Sequence, residues 1–413
     1  MNKSMNKGKI PLIVFRKLMK NSIIRAYNIA DKSNSPKDWR KFFYKIIKKA
    51  EKKGLSGNIL SSYIIYLLAQ GNNPIASRIQ CSGDIGQGLE KMLRLDMKKL
   101  YPYLNIKVSG NNSYAEIINE YEPSHMCNDE PYMELLQNMA KAESADEAAR
   151  ILVNHYKKYG SGKLANYKAF YWNRGKLKGI TYFEKVEMAD LIGYEKQKRL
   201  LLDNTAAFIN NRPANNVLLT GARGTGKSSS VKALINMHYK KGLRLLQIRK
   251  NQIQSMEEIM EYLRNLAGYK FIIFMDDLSF GETEPEYKYL KSIIEGGAAS
   301  CPENVILYAT SNRRHMIKET WNDREDTQEE LYKNDSINES ISLADRFGII
   351  VTYDTPDQNQ YLSVIKYYLQ KAGIHMDAEE LRLEGIRWEM LHSGRSGRTA
   401  KQFVNWYLGQ KNN

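Results

Sequence analysis

Asn215-Asn216-Val217-Leu218-Leu219-Thr220-Gly221-Ala222-Arg223-Gly224-Thr225-Gly226-Lys227-Ser228 decides how the rest of this 413-residue chain is read. Residues 217–220 have the length and composition of a buried strand, the glycines form a turn, and residues 231–237 continue as an apolar helix. Lacking a Cβ, glycine lets backbone N–H groups turn inward around phosphate oxygens, and a helix beginning at that point adds the positive end of its dipole. In this setting Lys227 would reach the β and γ phosphates of a nucleotide and the Ser228 hydroxyl would ligate Mg²⁺. Gly221, Ala222, Arg223, Gly224, Thr225, Gly226, Lys227, Ser228 and Ser229 form the candidate phosphate-binding set. An accidental glycine turn is not expected to have a strand before it and a helix after it in register.

The other half of such a site is an acid at the end of a second buried strand, and Phe271-Ile272-Ile273-Phe274-Met275-Asp276-Asp277 supplies it. Asp276 is assigned to the metal, directly or through water, and Asp277 to polarising the attacking water. Read alone, the pair would also serve as a helix cap followed by a solvated Asp. Val305-Ile306-Leu307-Tyr308-Ala309-Thr310-Ser311-Asn312 is a third buried strand with a polar end. Asn312 offers a neutral donor and acceptor on a rigid strand end, suited to holding the attacking water or the γ-phosphate, although an Asn closing a strand is also ordinary turn chemistry. Two arginines follow: Arg346, just before a fifth apolar run, and Arg398, in Ser396-Gly397-Arg398-Thr399. A guanidinium against a transferring phosphoryl group offsets the charge that develops in the transition state. Each is equally readable as an ion-pair residue, Arg346 with Asp345 for example, and Arg313, Arg314 and Arg395 compete for the same roles.

Working outward, five short apolar runs (217–220, 243–248, 271–275, 305–309 and 349–353) alternate with helical or turn segments. That alternation predicts an α/β domain over residues 189–354, its parallel sheet covered on both faces. Residues 355–413 carry no strand pattern and read as a small domain of three helices, 358–371, 378–391 and 400–408. Residues 151–188 read as a linker whose aromatics pack on the next domain. From Ala148 to Phe183 the chain has no acidic residue, and cations from Arg150 to Lys178 alternate with aromatics from Tyr156 to Trp172, a mixture that also suits single-stranded nucleic acid. Residues 1–150 read as mostly helical, over 10–30, 39–53, 55–68 and 85–100, with no catalytic motif. Residues 1–100 hold 21 Lys/Arg against 6 Asp/Glu, so nearly all of the chain's net charge of +16 lies there. That asymmetry points to an anionic partner, nucleic acid or acidic protein, for this part alone. Cys81, Cys127 and Cys301 are too few and too far apart for a disulfide framework or a zinc ligand set. No apolar run approaches the roughly 18 residues of a membrane span, so a cytoplasmic location is expected.

Taken in order, these residues resemble the AAA+ ATPase superfamily: Walker A at 221–228, Walker B at 271–277, sensor 1 at Asn312, an arginine-finger position at Arg346 and sensor 2 at Arg398. Within it, Asp276-Asp277-Leu278-Ser279-Phe280, Ala309-Thr310-Ser311-Asn312-Arg313-Arg314-His315, Ser342-Leu343-Ala344-Asp345-Arg346-Phe347-Gly348 and Ser396-Gly397-Arg398-Thr399-Ala400 are similar to the bacterial family of domain of unknown function 815, over roughly residues 150–410. The resemblance implies a five-stranded sheet in the order 5-1-4-3-2, a helical lid, Mg²⁺ and ATP bound between them, and a ring or other homo-oligomer. It implies that Arg398 reaches the nucleotide of its own chain and Arg346 that of a neighbour. It also implies that Ile192, Gly193 and Tyr194 cradle adenine, where the residues alone describe a helix-entry turn with Tyr194 packed on the lid. The superfamily's usual second Walker B acid is Glu, and Asp277 is one methylene shorter. Two functions stay open: an ATPase that couples hydrolysis to conformational work on a macromolecule, and a nucleotide-dependent switch or protein-binding module that hydrolyses slowly or not at all. Residues 315–341 are long and acidic, either a solvated loop or a dock for the cationic N-terminal region.

Overall fold

In helix Pro36–Lys53 the residues Trp39, Phe42, Phe43, Ile46 and Ala50 recur at helical spacing and are buried, while cations fill the opposite side. Pro36 opens the helix and Gly54, in the left-handed region, closes it. The computed structural model describes residues 12–108, 113–278, 285–294, 301–312, 346–392 and 394–411. It divides into two compact units, Met1–Tyr167 with Asn265–Tyr269, and Lys168–Arg264 with Lys270–Asn413. The first is helical. At its centre Ile59–Ala69 is buried nearly all round, capped by the Asn58 side chain on the Ser61 N–H. The single helix expected over 10–30 is interrupted at Asn21, whose side chain accepts from the N–H groups of Ile23 and Ile24 and starts a new helix, Ser22–Ser33.

The second unit is built on a seven-stranded sheet: β1 (Ala169–Asn173), β2 (Lys176–Gly179), β3 (Val217–Gly221), β4 (Leu243–Ile248), β5 (Lys270–Met275), β6 (Val305–Ser311) and β7 (Ile349–Tyr353), in the order β2-β1-β4-β5-β6-β3-β7. All neighbours pair in parallel except β1 with β2. The five expected strands keep the order 5-1-4-3-2, but the sheet is larger than expected because a hairpin adds two strands beside β4. The expectation of a linker over residues 151–188 is thereby corrected. Helix Ala145–Tyr159 runs through the expected boundary within the helical unit, and Ala169–Gly179 belongs to the sheet. Strand alternation explains the reversal: Phe170, Trp172 and Leu177 turn inward and are buried, leaving Tyr171, Lys176 and Lys178 outside. Arg174 and Gly175, both at positive φ, make the tight turn.

Three helices follow β7, at Gln358–Lys371, Ala378–Leu391 and Gly397–Lys411, packed around Tyr361, Ile365, Leu369 and Phe403. No helix among the described residues is long and apolar enough to cross a membrane.

Candidate functional site

Because β6 lies between β3 and β5, the polar end of β6 meets both the glycine loop and the paired acids. Register pairs Thr220 with Ser311, and Met275 with Ala309, so the three strand exits lie level. The Lys227 ammonium donates to the Gly221 and Ala222 carbonyls at 2.8 and 2.7 Å and to Asn312 Oδ1 at 3.0 Å. The Asn312 amide in turn donates to Asp277 Oδ1 at 2.5 Å. A parallel chain runs through Asp276, whose Oδ1 accepts from both Ser228 Oγ and Thr310 Oγ1 at 2.6 Å. Thr310 Oγ1 also accepts the Asp277 N–H at 2.8 Å, holding Asp277 in a left-handed conformation with φ of 56°. Burial pulls Lys227 down to about 8, with Asp277 and Asp276 opposing the shift and Arg223 and Arg398 adding to it.

A cleft of about 720 Å³ opens over these strand exits. From the candidate phosphate set Arg223, Gly224, Thr225, Gly226, Lys227, Ser228 and Ser229 line it, with Asp276, Asp277 and Asn312. Gly221 and Ala222 do not line it; they take part through the carbonyls that Lys227 engages. The loop cannot be built without glycine at Gly221 and Gly224. Gly221 has φ of 131°, and a Cβ there would lie 2.0 Å from the Tyr353 carbonyl oxygen; Gly224 has φ of 77°, and its Cβ would press on Ser396 and Arg398. The donor set Ser228 hydroxyl plus Asp276 carboxylate, with phosphate oxygens and water, fits Mg²⁺, which takes few protein ligands.

The far wall belongs to the lid and to the segment between β2 and β3. Ile192 and Tyr194 line the cleft; Gly193 between them does not. Gly193, at φ of 81°, is backed by Gln360 of the first lid helix, whose amide donates to the Ile192 carbonyl at 3.4 Å. Tyr194 donates to the Asp354 carbonyl and sets its ring 5.0 Å from that of Tyr353. Tyr194 thus packs on the end of β7 rather than on a lid helix. Arg398 lines the cleft from the first turn of the last helix. Arg395 is instead paired with Glu389 at 2.8 Å, and Arg346, just before β7, is not a lining residue. Arg313, Arg314 and the acidic 315–341 segment lie outside the described residues.

Sequence reasoning missed Thr310 and Asp190. Thr310 stands inside an apolar strand, where only its place two residues before Asn312 marks it. Asp190 lines the cleft, and its carboxylate accepts from the Tyr367 hydroxyl at 2.8 Å and from the Lys371 ammonium, across more than 170 residues of chain. No spacing rule links such distant positions.

Parallel strands in this order, with a phosphate loop at the exit of the first, acids at the exit of the third and helices closing over both, constitute the AAA+ type of P-loop fold. The model of the family described as Protein of unknown function (DUF815) matches residues 165–411, and the chain belongs to that family. Among solved structures it is similar to the Thermotoga maritima RuvB Holliday junction branch migration motor, at 17% identity over 53% of this chain and 63% of that chain with a TM-score of 0.37. It is also similar to the FIGL-1 AAA domain in complex with ADP, at 16% identity over 54% of this chain and 72% of that chain with a TM-score of 0.36. The chain therefore covers less than two thirds of the length of the RuvB protein. No curated protein matches the chain in sequence.

Proposed function

We propose that the chain is an Mg-dependent ATPase that turns nucleotide binding and hydrolysis into movement of the lid against the sheet, doing conformational work on a macromolecule. One observation carries this reading: two hydrogen-bonded chains, Lys227–Asn312–Asp277 and Ser228–Asp276–Thr310, tie the exits of β3, β6 and β5 beneath one cleft. Lys227 and the loop N–H groups hold the β and γ phosphates, and Asn312 and Asp277 orient the attacking water. Ser228 and Asp276 would hold Mg²⁺, which when bound would offset the negative charge of the phosphates. Arg398 presents its guanidinium to the same phosphates from the lid. Ile192, Gly193 and Tyr194 form the adenine side, and Arg346 acts on the nucleotide of a neighbouring copy in a homo-oligomer.

A specific observation favours a second reading, a switch that binds ATP and scarcely hydrolyses it. Asp277 is short, and one of its oxygens is already engaged by Asn312. Comparing wild type with Lys227→Ala and Asp277→Asn separates the two. The ATPase reading expects measurable wild-type turnover, loss of ATP binding in Lys227→Ala, and retained binding with turnover reduced at least 100-fold in Asp277→Asn. Tight ATP binding with no wild-type turnover selects the switch. Calorimetry that detects neither Mg-ATP nor Mg-ADP binding by the wild type overturns both.

A further inference from the structure

We propose that the outward face of helix Pro36–Lys53 is a docking surface for the sugar-phosphate backbone of a nucleic acid. Lys37, Lys41, Tyr44, Lys48 and Lys52 follow one another at intervals of four, three, four and four, a straight stripe opposite the buried Trp39, Phe42, Phe43, Ile46 and Ala50. Over the 15 residue steps from Lys37 to Lys52 the stripe runs roughly 22 Å, a length over which one strand of a duplex presents roughly six phosphates. With Arg40 at its margin the stripe carries five exposed cations, and Tyr44 is 67% exposed among them with the Lys48 ammonium 5.9 Å from its ring. An exposed aromatic within a cation line offers a base a stacking surface.

What marks this face is that its uncompensated cations fall in one straight line around an exposed aromatic. The helical unit's ion pairs of Arg94 with Glu90 and Asp146, Lys157 with Asp84 and Lys158 with Glu134 all lie off this helix. Among the described residues none of Lys37, Arg40, Lys41, Lys48 and Lys52 forms an ion pair. Both carboxylates on the helix are engaged elsewhere: Asp38 accepts from the Ser33 hydroxyl at 2.7 Å, and Glu51 from the hydroxyls of Tyr121 and Ser124 at 2.6 and 2.5 Å. Crowding also registers on the flank, where burial and then the neighbouring Lys53 and Lys52 hold Lys49 below the ordinary lysine value. An anionic lattice laid along the stripe relieves that repulsion. A membrane surface fits less well, because an interfacial helix offers an apolar face beside its cations and here that face is sealed in the core.

The test is fluorescence anisotropy of a labelled 20-base-pair duplex and of a 20-nucleotide single strand with the full chain, from 50 to 200 mM salt. Nucleotide is omitted, so the result is independent of whether the cleft hydrolyses ATP. Five neutralised phosphates give a slope of log affinity against log salt near −4.5 for the duplex, a loss of roughly 500-fold across that range. Lys37→Gln/Lys41→Gln/Lys48→Gln together are expected to bring the slope to about −2 and to weaken binding at least tenfold at 50 mM. Lys37→Arg/Lys41→Arg/Lys48→Arg preserves both quantities. So does Lys91→Gln/Lys98→Gln/Lys107→Gln, which removes the same charge from exposed positions elsewhere in the unit. The proposal is overturned by absence of binding to either oligonucleotide at 50 mM salt, by equal losses in the two glutamine triples, or by poly-glutamate competing as well as the oligonucleotides, which would identify an acidic protein as the partner.

Discussion

Lys227 is kept mostly out of water at the bottom of the cleft, and its affinity for protons follows from that. In the free chain burial lowers it to about 8, whereas a phosphate beside it would restore a value near the ordinary 10.5. At pH 8.5 the free side chain is therefore mostly deprotonated and the complexed one protonated, so nucleotide binding takes up between roughly half and one proton. Calorimetry in buffers of different ionisation enthalpy reads that uptake directly, and it should fade toward pH 7, where Lys227 is already charged. Thr310 makes a second residue-scale prediction. Its hydroxyl donates to Asp276 and accepts from the Asp277 N–H, so Thr310→Val leaves both acids misaimed while keeping the strand's shape. Turnover should fall about 10- to 100-fold with ATP affinity nearly unchanged, a loss in kcat rather than KM that marks a positioning role.

Among the elements, the phosphate loop and β7 are locked together by an absence of side chain. Gly221→Ala would push a Cβ against the Tyr353 carbonyl and force an alanine to φ of 131°, with an expected loss of about 3 kcal/mol or more in a denaturant midpoint series. Gly57, at φ of 68° but facing open space, is the matched control, where only the backbone strain is felt. The loop, the acids and the lid helices were legible because each has a local signature: glycine spacing, an apolar run ending in carboxylates, apolar residues at helical period. The lid helices expected at 358–371 and 378–391 stand at those bounds, and the third extends three residues beyond its expected span at either end. The β1–β2 hairpin was not legible, because its period-2 alternation sets lysines between aromatics and so looks like a basic tract, and membership of a sheet depends on a partner strand some 75 residues on. Thr310 and Asp190 escaped for the same reason, since their partners are defined by strand order and lid closure rather than by sequence distance.

At the scale of the whole molecule, the cleft is walled by sheet and lid together, and Asp190 is where the segment between β2 and β3 grips the first lid helix. Although burial opposes it, hydrogen bonds from Lys371, the Glu187 N–H and Tyr367 hold its carboxyl below the ordinary Asp value. A depressed carboxyl contributes stability that is present above about pH 4 and is lost as pH falls through the lowered value. The melting-temperature advantage of wild type over Asp190→Asn should thus be full at pH 7 and should close under stronger acid. Amide exchange in Gln358–Lys371 should be faster in the variant. If Arg346 completes a neighbour's site, Arg346→Ala and Asp277→Asn, each with little turnover alone, should regain a measurable fraction of wild-type rate when mixed, and failure to do so would assign the arginine to its own chain. Finally, the added hairpin changes what a shortened version of this molecule would be. Its first strand covers the flank of Leu243-Arg244-Leu245-Leu246-Gln247-Ile248, and its second is a brief outer strand bearing Lys176 and Lys178, residues that discourage annexation by another polypeptide. A fragment begun at residue 189 would bare that greasy rim and precipitate, whereas one begun at 165 would keep its fender and stay in solution.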